Sequence, residues 1–405
     1  MSTSGEVPSI VLFVVSGVVI IVVAILVTKC YLRRMKQRRS RSRNPLPPPS
    51  RPGLGADSII ELGSVEEFLD GILKEKPIRF TPQHLIDCTW NYSVTLGSGG
   101  FGTVYKGVLL NGVQVAVKIL RGTSDKRAEE QQFMAEVGTI GRTYHINLVK
   151  LYGFCFDETA KALVYEYMEK GSLEGYLFGK ERTVIEFEKL RDIAVGTAKG
   201  LRYLHEECQQ KIVHYDIKPA NVLLDANFCP KVADFGLAKL CDRENTHMAI
   251  TGGGRGTPGY AAPELWMPFP VTHKCDVYSY GMLLFEIVGR RRNLEFSRGE
   301  SQQWFPTLVW EKFQQGQLES IVSLCGIEEH NRDKAGTMCQ VALWCVQYQP
   351  EARPSMSSVV RMLEGDEEIV PPTNPFLHMM SNPAVSSSVT SKSETASEFS
   401  VLMSV

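Results

Sequence analysis

The chain of 405 residues is longer than an average domain and can bury a large core, in one domain or in two lobes. Its formal net charge of −1 gives no overall attraction to nucleic acid, so we predict no nucleic-acid partner. The 10 cysteines are scattered without a Cys-x-x-Cys pair, which favours reduced thiols over disulfides or a zinc site.

An apolar run at residues 10–27 is interrupted only by Ser16 and Gly17. With Thr28 at its edge it approaches the length of about 20 residues that a membrane-spanning helix requires, which predicts such a helix at 10–28. Eight basic residues and no acidic one follow at positions 29–43. No small-residue cleavage site is evident, which disfavours a signal peptide. The positive-inside rule then predicts a single-pass protein with residues 1–9 as a short extracellular segment and a cytoplasmic remainder. The plasma membrane is the expected location.

Composition divides that remainder into three parts. Residues 29–78 are basic and then proline-rich, which predicts an extended juxtamembrane segment with a short amphipathic helix at 65–73. Residues 79–363 carry the periodic patterns of a compact domain. Residues 364–405 contain Pro371-Pro372 and a Ser/Thr-rich stretch, which predicts a disordered tail.

Inside the compact domain, strand-like segments at 94–119 are broken by glycine-rich residues 97–102 and by the hairpin signal Asn111-Gly112. Val115 and Val117 alternate with polar or small residues, which predicts a strand that projects Lys118 from one face. Helical spacing predicts helices at 128–140 and from about 190 to a point before 214. Strands first and helices later predict an α+β fold of two unequal lobes with a cleft between them.

A phosphate-binding loop is predicted from the spacing Gly-x-Gly-x-x-Gly at Gly97, Gly99 and Gly102. Glycines let backbone N–H groups approach phosphate oxygens. The motif alone also fits a dinucleotide-binding loop, but that loop leads into a helix, whereas a strand pattern continues here through Val104. On the next strand, Lys118 could meet the same phosphates. Glu136 lies near the buried face of the predicted helix and could orient Lys118 as an ion pair.

Residues 214–221 read His-Tyr-Asp-Ile-Lys-Pro-Ala-Asn, and Asp-Phe-Gly follows at 234–236. Asp216 can orient a hydroxyl nucleophile and accept its proton, and Lys218 can neutralise the transferred phosphate. Asn221 and Asp234 can supply oxygen ligands for Mg²⁺, or for Mn²⁺ in its place. Each residue alone would be interpreted as part of a turn. The ordered set predicts phosphoryl transfer from ATP to a hydroxyl.

These motifs, spread over residues 79–363, resemble those of the protein kinases. Lys218, two positions after Asp216, and the run Gly-Thr-Pro-Gly-Tyr-Ala-Ala-Pro-Glu at 256–264 are similar to serine/threonine kinases rather than tyrosine kinases. That run and a tyrosine gatekeeper, Tyr165, resemble the plant receptor-like kinases, and the catalytic run looks most like the leaf-rust-resistance and thaumatin-related receptor kinases. The resemblance implies a bilobal protein-kinase fold, with a β-rich N-lobe and a helical C-lobe, in a chain that has almost no ectodomain.

The resemblance also implies an activity and its partners. The activity is that of a non-specific serine/threonine protein kinase, which converts ATP and protein to ADP and phosphoprotein, in plant receptor or defence signalling. The implied partners are ATP, protein substrates, the membrane and another receptor kinase or co-receptor. The rival hypothesis is a kinase-like signalling adaptor with little turnover.

Individual roles follow from the same resemblance. Lys118 and Glu136 would act with Asp216 and Lys218 in catalysis. Asp276 would anchor the catalytic loop, Arg353 would pair with Glu264, and Thr257 would lie near Asp216. Four apolar-spine residues would stack between the lobes: Ile140, Leu151, His214 and Phe235. The residues implied to contact ATP are Gly97, Ser98, Gly99, Gly100, Phe101, Gly102, Val104, Ala116, Lys118, Tyr165, Glu166, Met168 and Leu223.

Tyr215 stands where most kinases carry an arginine that pairs with a phosphorylated activation-loop residue. A tyrosine has no charge for that pairing, as in kinases of the non-RD type. We therefore predict that phosphorylation between residues 237 and 261, at Thr246 or Thr251 for example, is not an obligatory switch. Lys239 or Arg243 could still offer a partner for a phosphate.

Overall fold

The computed structural model describes residues 77–100, 102–121, 126–141, 143–179, 185–241, 256–267, 270–295 and 304–380. The predicted membrane span at 10–28, the predicted helix at 65–73 and positions 381–405 lie outside these ranges. Within them, no helix combines the length and the apolar composition needed to cross a bilayer.

The N-terminal part of the described chain is built on a six-stranded sheet with the order β1-β5-β6-β4-β3-β2. Helix α1 (Pro82–Cys88) follows β1, and helix α2 (Lys126–Ile140) follows β4. Strands β1 and β5 run parallel, and the other neighbouring pairs are antiparallel. The strands are β1 (Ile78–Arg79), β2 (Thr95–Gly99), β3 (Gly102–Val108), β4 (Gln114–Leu120), β5 (Leu151–Phe156) and β6 (Lys161–Glu166).

Strand β4 shows why this sheet forms where the pattern predicts it. Val115 and Val117 are fully buried in one apolar cluster with Leu85 of α1 and Val164 of β6. Because side chains alternate along a strand, Lys118 lies on the opposite face, where it is also buried. One face of β4 therefore packs in the apolar core, and the other presents the charged side chain of Lys118.

The turn between β3 and β4 confirms the predicted hairpin. Gly112 has a φ of +84°, a conformation that glycine adopts without steric cost. The side-chain oxygen of Asn111 accepts a hydrogen bond from the Val113 backbone nitrogen at 3.2 Å. Beyond this turn, Gly107 of β3 pairs with Val115 of β4 and sets the register of the hairpin.

The rest of the described chain is mainly helical. Short strands β7 (Gly171–Ser172), β9 (Val222–Leu224) and β10 (Pro230–Val232) form a three-stranded sheet, and β8 (Lys211–Val213) pairs with β11 (Lys239–Cys241). The helices are α3 (Leu173–Phe178), α4 (Phe187–Arg202), α5 (Lys274–Gly289), α6 (Phe305–Gln314), α7 (Leu318–Leu324), α8 (Arg332–Cys345), α9 (Met356–Glu364) and α10 (Leu377–Met380). A β-rich part followed by a helical part confirms the predicted division into two lobes.

Helix α5 forms the centre of the helical core. The buried Tyr280 donates a hydrogen bond to the Ala194 carbonyl of α4 at 2.9 Å. Gly281 packs so closely on α8 that a Cβ there would lie 2.7 Å from the Cβ of Cys345. This close packing makes α5 a rigid base for the loops that it holds.

The predicted disorder from residue 364 onward is wrong for residues 364–380. Phe376 is buried and its ring packs on Trp304, with centroids 4.8 Å apart. Trp344 Nε1 donates to the Val370 carbonyl at 2.8 Å, and Gln347 Nε2 donates to the Thr373 carbonyl at 2.9 Å. A single buried aromatic ring and two side-chain bonds to the backbone thus hold a segment whose composition favours disorder. At the other boundary, the first described strand begins at Ile78, one residue before the predicted start of the compact domain.

Candidate active site

Lys118 joins three segments that are distant in sequence. Its Nζ donates to both carboxylate oxygens of Glu136, at 3.1 and 3.0 Å, and to Asp234 Oδ1 at 2.8 Å. The side chain of Glu136 is fully buried and that of Lys118 nearly so. A buried charge is tolerated when it is paired and hydrogen-bonded, and both conditions hold here. The ion pair between Lys118 and Glu136 that the spacing predicts is present.

The surroundings of Lys118 fix the charge states in this cluster. Burial by itself would lower the pKa of the Lys118 ammonium, but the charges of Glu136 and Asp234 raise this pKa above its ordinary value. Burial would likewise raise the pKa of the Asp234 carboxyl, but the charge of Lys118 lowers it. Tyr165 donates its hydroxyl to Glu136 Oε1 in a short hydrogen bond. The site therefore holds a cation and an ionised carboxylate at neutral pH.

Asp216 is the centre of a second cluster, in the turn that follows β8. Lys218 Nζ donates to Asp216 Oδ2 at 2.8 Å and to Thr257 Oγ1 at 2.7 Å, and that hydroxyl donates to Asp216 Oδ1 at 2.5 Å. Asn221 Nδ2 donates to the Asp216 carbonyl at 2.8 Å and to Oδ2 at 2.9 Å. Both oxygens of the carboxylate are thus held in a fixed direction, and Thr257 lies where the resemblance implies.

The backbone of this turn is held by Asp276 of α5. Its carboxylate oxygens accept hydrogen bonds from the His214 and Tyr215 backbone nitrogens, both at 2.8 Å. His205 Nε2 lies 2.9 Å from Asp276 Oδ2, a contact that the sequence analysis missed. Tyr215 has a φ of +68°, a conformation that costs about 1–2 kcal/mol for a residue with a side chain. The two bonds to Asp276 stabilise this strained conformation.

Asn221 and Asp234 are brought together by a small hairpin. Strands β9 and β10 pair Val222 with Val232, so the residues just before β9 and just after β10 lie side by side. Asp234 also has a left-handed φ of +66°, and the next residue, Phe235, packs its ring on His214 with centroids 4.8 Å apart. Such strained positions cluster at functional sites.

The chemistry of these two side chains fits a divalent metal ion. The amide nitrogen of Asn221 is directed to Asp216, so its amide oxygen is directed away from that bond. Asp234 is ionised and engages Lys118 through Oδ1. An amide oxygen and a carboxylate are hard donors of the kind that Mg²⁺ prefers.

The predicted phosphate loop is the hairpin between β2 and β3. Gly97, Ser98 and Gly99 end β2, Gly100 forms the turn, and Phe101 lies outside the described residues. Gly102 has a φ of +136°, and a Cβ there would lie 2.1 Å from the Ile119 carbonyl oxygen, so only glycine fits. A strand follows the motif, which confirms the predicted context and excludes the dinucleotide-binding alternative.

The remaining predicted nucleotide contacts lie on, or directly after, strands of two sheets. Ala116 pairs with Tyr165, and Val104 pairs with Lys118 across β3 and β4. Leu223 lies on β9, and Met168 follows β6 and is buried. These residues come from both the six-stranded and the three-stranded sheet.

The side chain of Glu166 is committed to the protein itself. Its Oε1 accepts a hydrogen bond from the Lys150 backbone nitrogen at 2.6 Å and lies 3.1 Å from Lys231 Nζ. A contact between Glu166 and adenine must therefore come from the backbone, as the resemblance implies. The carbonyl oxygen of Met168 accepts a hydrogen bond from the Gly171 backbone nitrogen at 3.2 Å. The backbone N–H of Met168 is therefore the group that could meet adenine.

Two buried acidic residues hold the segment at 256–264. Glu264 forms a bidentate pair with Arg353, as the resemblance implies, at 2.6 and 2.8 Å. Glu286 was not predicted: its Oε2 accepts from the Tyr260 hydroxyl at 2.7 Å and its Oε1 from the Asn293 backbone nitrogen at 3.1 Å. Nothing in the local pattern around Glu286 signals this role, because α5 is apolar on all sides here.

The side chain of Tyr215 is buried in an apolar cluster rather than turned to solvent. Its neighbours in that cluster include Val213, Leu265 and Val271, together with Cys241 and Cys275. None of the nine cysteines in the described ranges forms a disulfide bond. Tyr215 thus fills with apolar packing the position where most kinases carry a charge.

A comparison with models of protein families identifies the family of this chain. The model of the family described as protein tyrosine and serine/threonine kinase matches residues 91–363. The chain belongs to this family. Membership of this family implies the use of ATP and of a divalent metal ion, and relatives of this chain include plant serine/threonine-protein kinases.

Three relatives illustrate the similarity. A G-type lectin S-receptor-like serine/threonine-protein kinase of Arabidopsis thaliana is 46% identical over 308 residues, which cover 74% of this kinase and 34% of the relative. The rust resistance kinase Lr10 of Triticum aestivum is 43% identical over 321 residues, with coverage of 77% and 50%. The PR5-like receptor kinase of Arabidopsis thaliana is 42% identical over 306 residues, with coverage of 74% and 45%. The kinase thus spans between a third and a half of the length of these relatives.

Proposed function

We propose that this chain is a membrane-anchored serine/threonine protein kinase that transfers the γ-phosphate of ATP to protein hydroxyls in plant receptor signalling. The observation that supports it best is the arrangement of two charged clusters. Lys118 meets Glu136 and Asp234 in one, and Asp216 meets Lys218 and Thr257 in the other. Phosphoryl transfer depends on positioning and charge neutralisation, which such clusters provide.

Each cluster has a distinct part in the proposed reaction. Lys118, oriented by Glu136, neutralises the α- and β-phosphates of ATP. Asp216 accepts a hydrogen bond from the substrate hydroxyl and takes up its proton as the oxygen–phosphorus bond forms. The bond between the γ-phosphorus and the β,γ-bridging oxygen breaks at the same time and ADP leaves, while Lys218 neutralises charge on the transferred phosphate. Mg²⁺ would be held by Asn221 and Asp234 and would neutralise the β- and γ-phosphate oxygens when bound.

The hydrogen bonds around Asp216 prepare it for this part. Thr257 and Lys218 hold its two oxygens, so the carboxylate does not have to reorient when a substrate arrives. The Thr257 hydroxyl occupies one oxygen of Asp216 through a 2.5 Å bond. An incoming serine or threonine hydroxyl would be recognised by the same chemistry.

The remaining nucleotide contacts are proposed in the same way. The backbone of residues 97–102 cradles the phosphates, and Val104, Ala116 and Leu223 enclose the adenine. Tyr165 closes the back of the pocket, and the backbone of Glu166 and Met168 pairs with the adenine edge. Support comes from the adjacent strands β3, β4 and β6, which carry Val104, Ala116 and Tyr165, and from the bonds that commit the Glu166 side chain elsewhere.

Anchoring and pathway rest on other support. The apolar residues 10–28 and the basic block at 29–43 favour a single span with the kinase domain in the cytoplasm. Similarity to receptor-like kinases, among them a rust resistance kinase, supports a role in plant defence beside another receptor or co-receptor. The apolar burial of Tyr215 supports regulation that does not require activation-loop phosphorylation.

The test is phosphate transfer from γ-labelled ATP by the full chain in detergent micelles with magnesium, followed by phosphoamino-acid analysis. We expect label on serine and threonine that disappears in Asp234→Asn. Nucleotide binding without transfer by the wild-type chain would favour the kinase-like adaptor. Label on tyrosine alone would contradict the proposed specificity.

A further inference from the structure

A partly exposed surface of aromatic and apolar side chains adjoins the C-terminal end of the segment at 256–264, whose Thr257 contacts Asp216. We define the Trp266 surface as Trp266, Met267, Tyr348, Leu377 and His378. Trp266 is 48% exposed, Met267 39% and Leu377 63%. Single exposed apolar residues are ordinary, but several exposed aromatic and apolar residues on neighbouring segments are typical of an interaction site.

Contacts within the Trp266 surface join three parts of the chain. Trp266 and Met267 directly follow the short turn Pro263–Leu265, which carries the buried Glu264. Tyr348, beyond the end of α8, donates its hydroxyl to Met267 Sδ at 3.3 Å. Its ring stacks on His378 of α10, with centroids 4.1 Å apart and planes 29° apart. The side chains of Met267, Tyr348 and His378 are therefore held together, and Trp266 and Leu377 are their neighbours in sequence.

The chain itself leads from this surface into a candidate occupant. Helix α10 ends at Met380, two residues beyond His378, and residues 381–405 follow. Residues 381–398 are mostly serine, threonine and other small or polar residues, whereas residues 399–405 read Phe-Ser-Val-Leu-Met-Ser-Val. In an extended conformation Phe399, Val401, Met403 and Val405 would share one face, because alternate side chains point the same way.

The geometry of the connection favours binding within one molecule. The 18 residues at 381–398 would span roughly 23 Å if they behave as a flexible chain, and they begin three positions after His378 of the Trp266 surface. A tethered segment of this length experiences an effective concentration of about millimolar. A weak apolar contact is then sufficient for high occupancy, without a separate partner.

We propose that residues 399–405 dock in cis on the Trp266 surface. Phe399 and Met403 would cover Trp266 and Leu377, beside the stacked rings of Tyr348 and His378. The docked segment would cover the outer side of the Pro263–Leu265 turn, whose inner side is held by Glu264 and Arg353. Any protein that binds this face would have to displace the segment first.

Site-specific photo-crosslinking of the full chain in detergent micelles tests the proposal directly. The photoreactive residue p-benzoylphenylalanine is placed at position 266 in one sample and at position 377 in a second, because either replacement alone could disturb packing. The matched control carries it at position 110, on the β3–β4 hairpin, where Leu110 is completely exposed. Crosslinked peptides are then mapped by mass spectrometry, and monomers are separated from dimers beforehand.

The expected result is a crosslink within the monomer from positions 266 and 377 to residues 399–405, and none from position 110. The double substitution Phe399→Ser with Met403→Ser should reduce this crosslink to the level of the control. Crosslinks found only in a dimer would overturn the proposal in favour of a second copy. Crosslinks only to detergent, or equal yields from all three positions, would also overturn it.

Discussion

Arg353→Met is expected to destabilise the kinase domain strongly, because the structure commits this guanidinium to a buried network. It donates to Glu264 at 2.6 and 2.8 Å and to the backbone carbonyls of Gln347, Lys274 and Tyr348 at 2.7, 3.0 and 3.1 Å. Both charged side chains are about 1% exposed. Methionine is apolar and of similar length, so it removes the charge and leaves the carboxylate of Glu264 buried without its partner.

The magnitude follows from the cost of an unpaired buried charge. Removing one partner of such a pair costs about 3–5 kcal/mol, compared with a typical unfolding free energy of about 5–15 kcal/mol. With an m value of about 3 kcal/mol/M, the midpoint of urea unfolding should fall by roughly 1–1.7 M. Combining Arg353→Met with Glu264→Gln should recover part of the loss, because no buried charge then remains.

The assay is urea unfolding followed by tryptophan fluorescence. The matched control is Glu364→Gln, which breaks the half-exposed ion pair of Glu364 with Lys199 at 2.7 Å and should cost less than about 1 kcal/mol. A loss for Arg353→Met no larger than that of Glu364→Gln would refute the reasoning. So would a double variant that is less stable than Arg353→Met alone.

Three further predictions concern catalysis, regulation and pH. Glu136→Gln should lower kcat/KM by about 10–100-fold, equivalent to about 1.4–2.7 kcal/mol, because Lys118 loses a charged partner. Steady-state kinetics that match those of the wild type would contradict this prediction. Thr251→Glu should change activity little if Tyr215 makes loop phosphorylation dispensable, and a many-fold rise in peptide phosphorylation would disprove it. Burial raises the pKa of the Glu286 carboxyl from 4.5 to about 7. Between these two pH values the folded state retains a proton that the unfolded state has lost, so the free energy of unfolding falls as the pH rises across this range. Glu286→Gln should abolish up to about 3 kcal/mol of that fall, measured as unfolding free energy at pH 5 and pH 8.

The local sequence pattern predicts the parts of the site whose structure is determined by residues close together in the sequence. The alternation of Val115 and Val117 predicts the face that presents Lys118, and Glu136 lies near the buried face of a predicted helix. The place of Gly102 in the phosphate loop is predictable because its motif requires a residue without a side chain. For these residues the physical cause lies within one strand, one helix or one turn.

Other parts of the site depend on contacts that no local pattern encodes. Lys118 and Asp234 are 116 positions apart. Lys118 lies on β4 of the six-stranded sheet, whereas Asp234 follows β10 of the three-stranded sheet, so their contact depends on the tertiary fold. Glu286 lies on an apolar helix and receives its partners, Tyr260 and Asn293, from two other segments. The segment at 364–380 has the composition of a disordered tail, yet the burial of Phe376 orders it. Composition averages over residues, whereas one well-placed aromatic ring can decide the outcome.

The central claim, that this chain is an active kinase rather than an adaptor, is tested most directly by comparing the wild type with Asp216→Asn. Phosphorylation of a serine- or threonine-containing substrate and the Kd for ATP are measured side by side on the same preparations. The account predicts turnover by the wild type, a loss of turnover of at least about 100-fold in the variant, and a similar Kd for ATP in both. Equal rates in the two proteins, or ATP binding without turnover in the wild type, would contradict it.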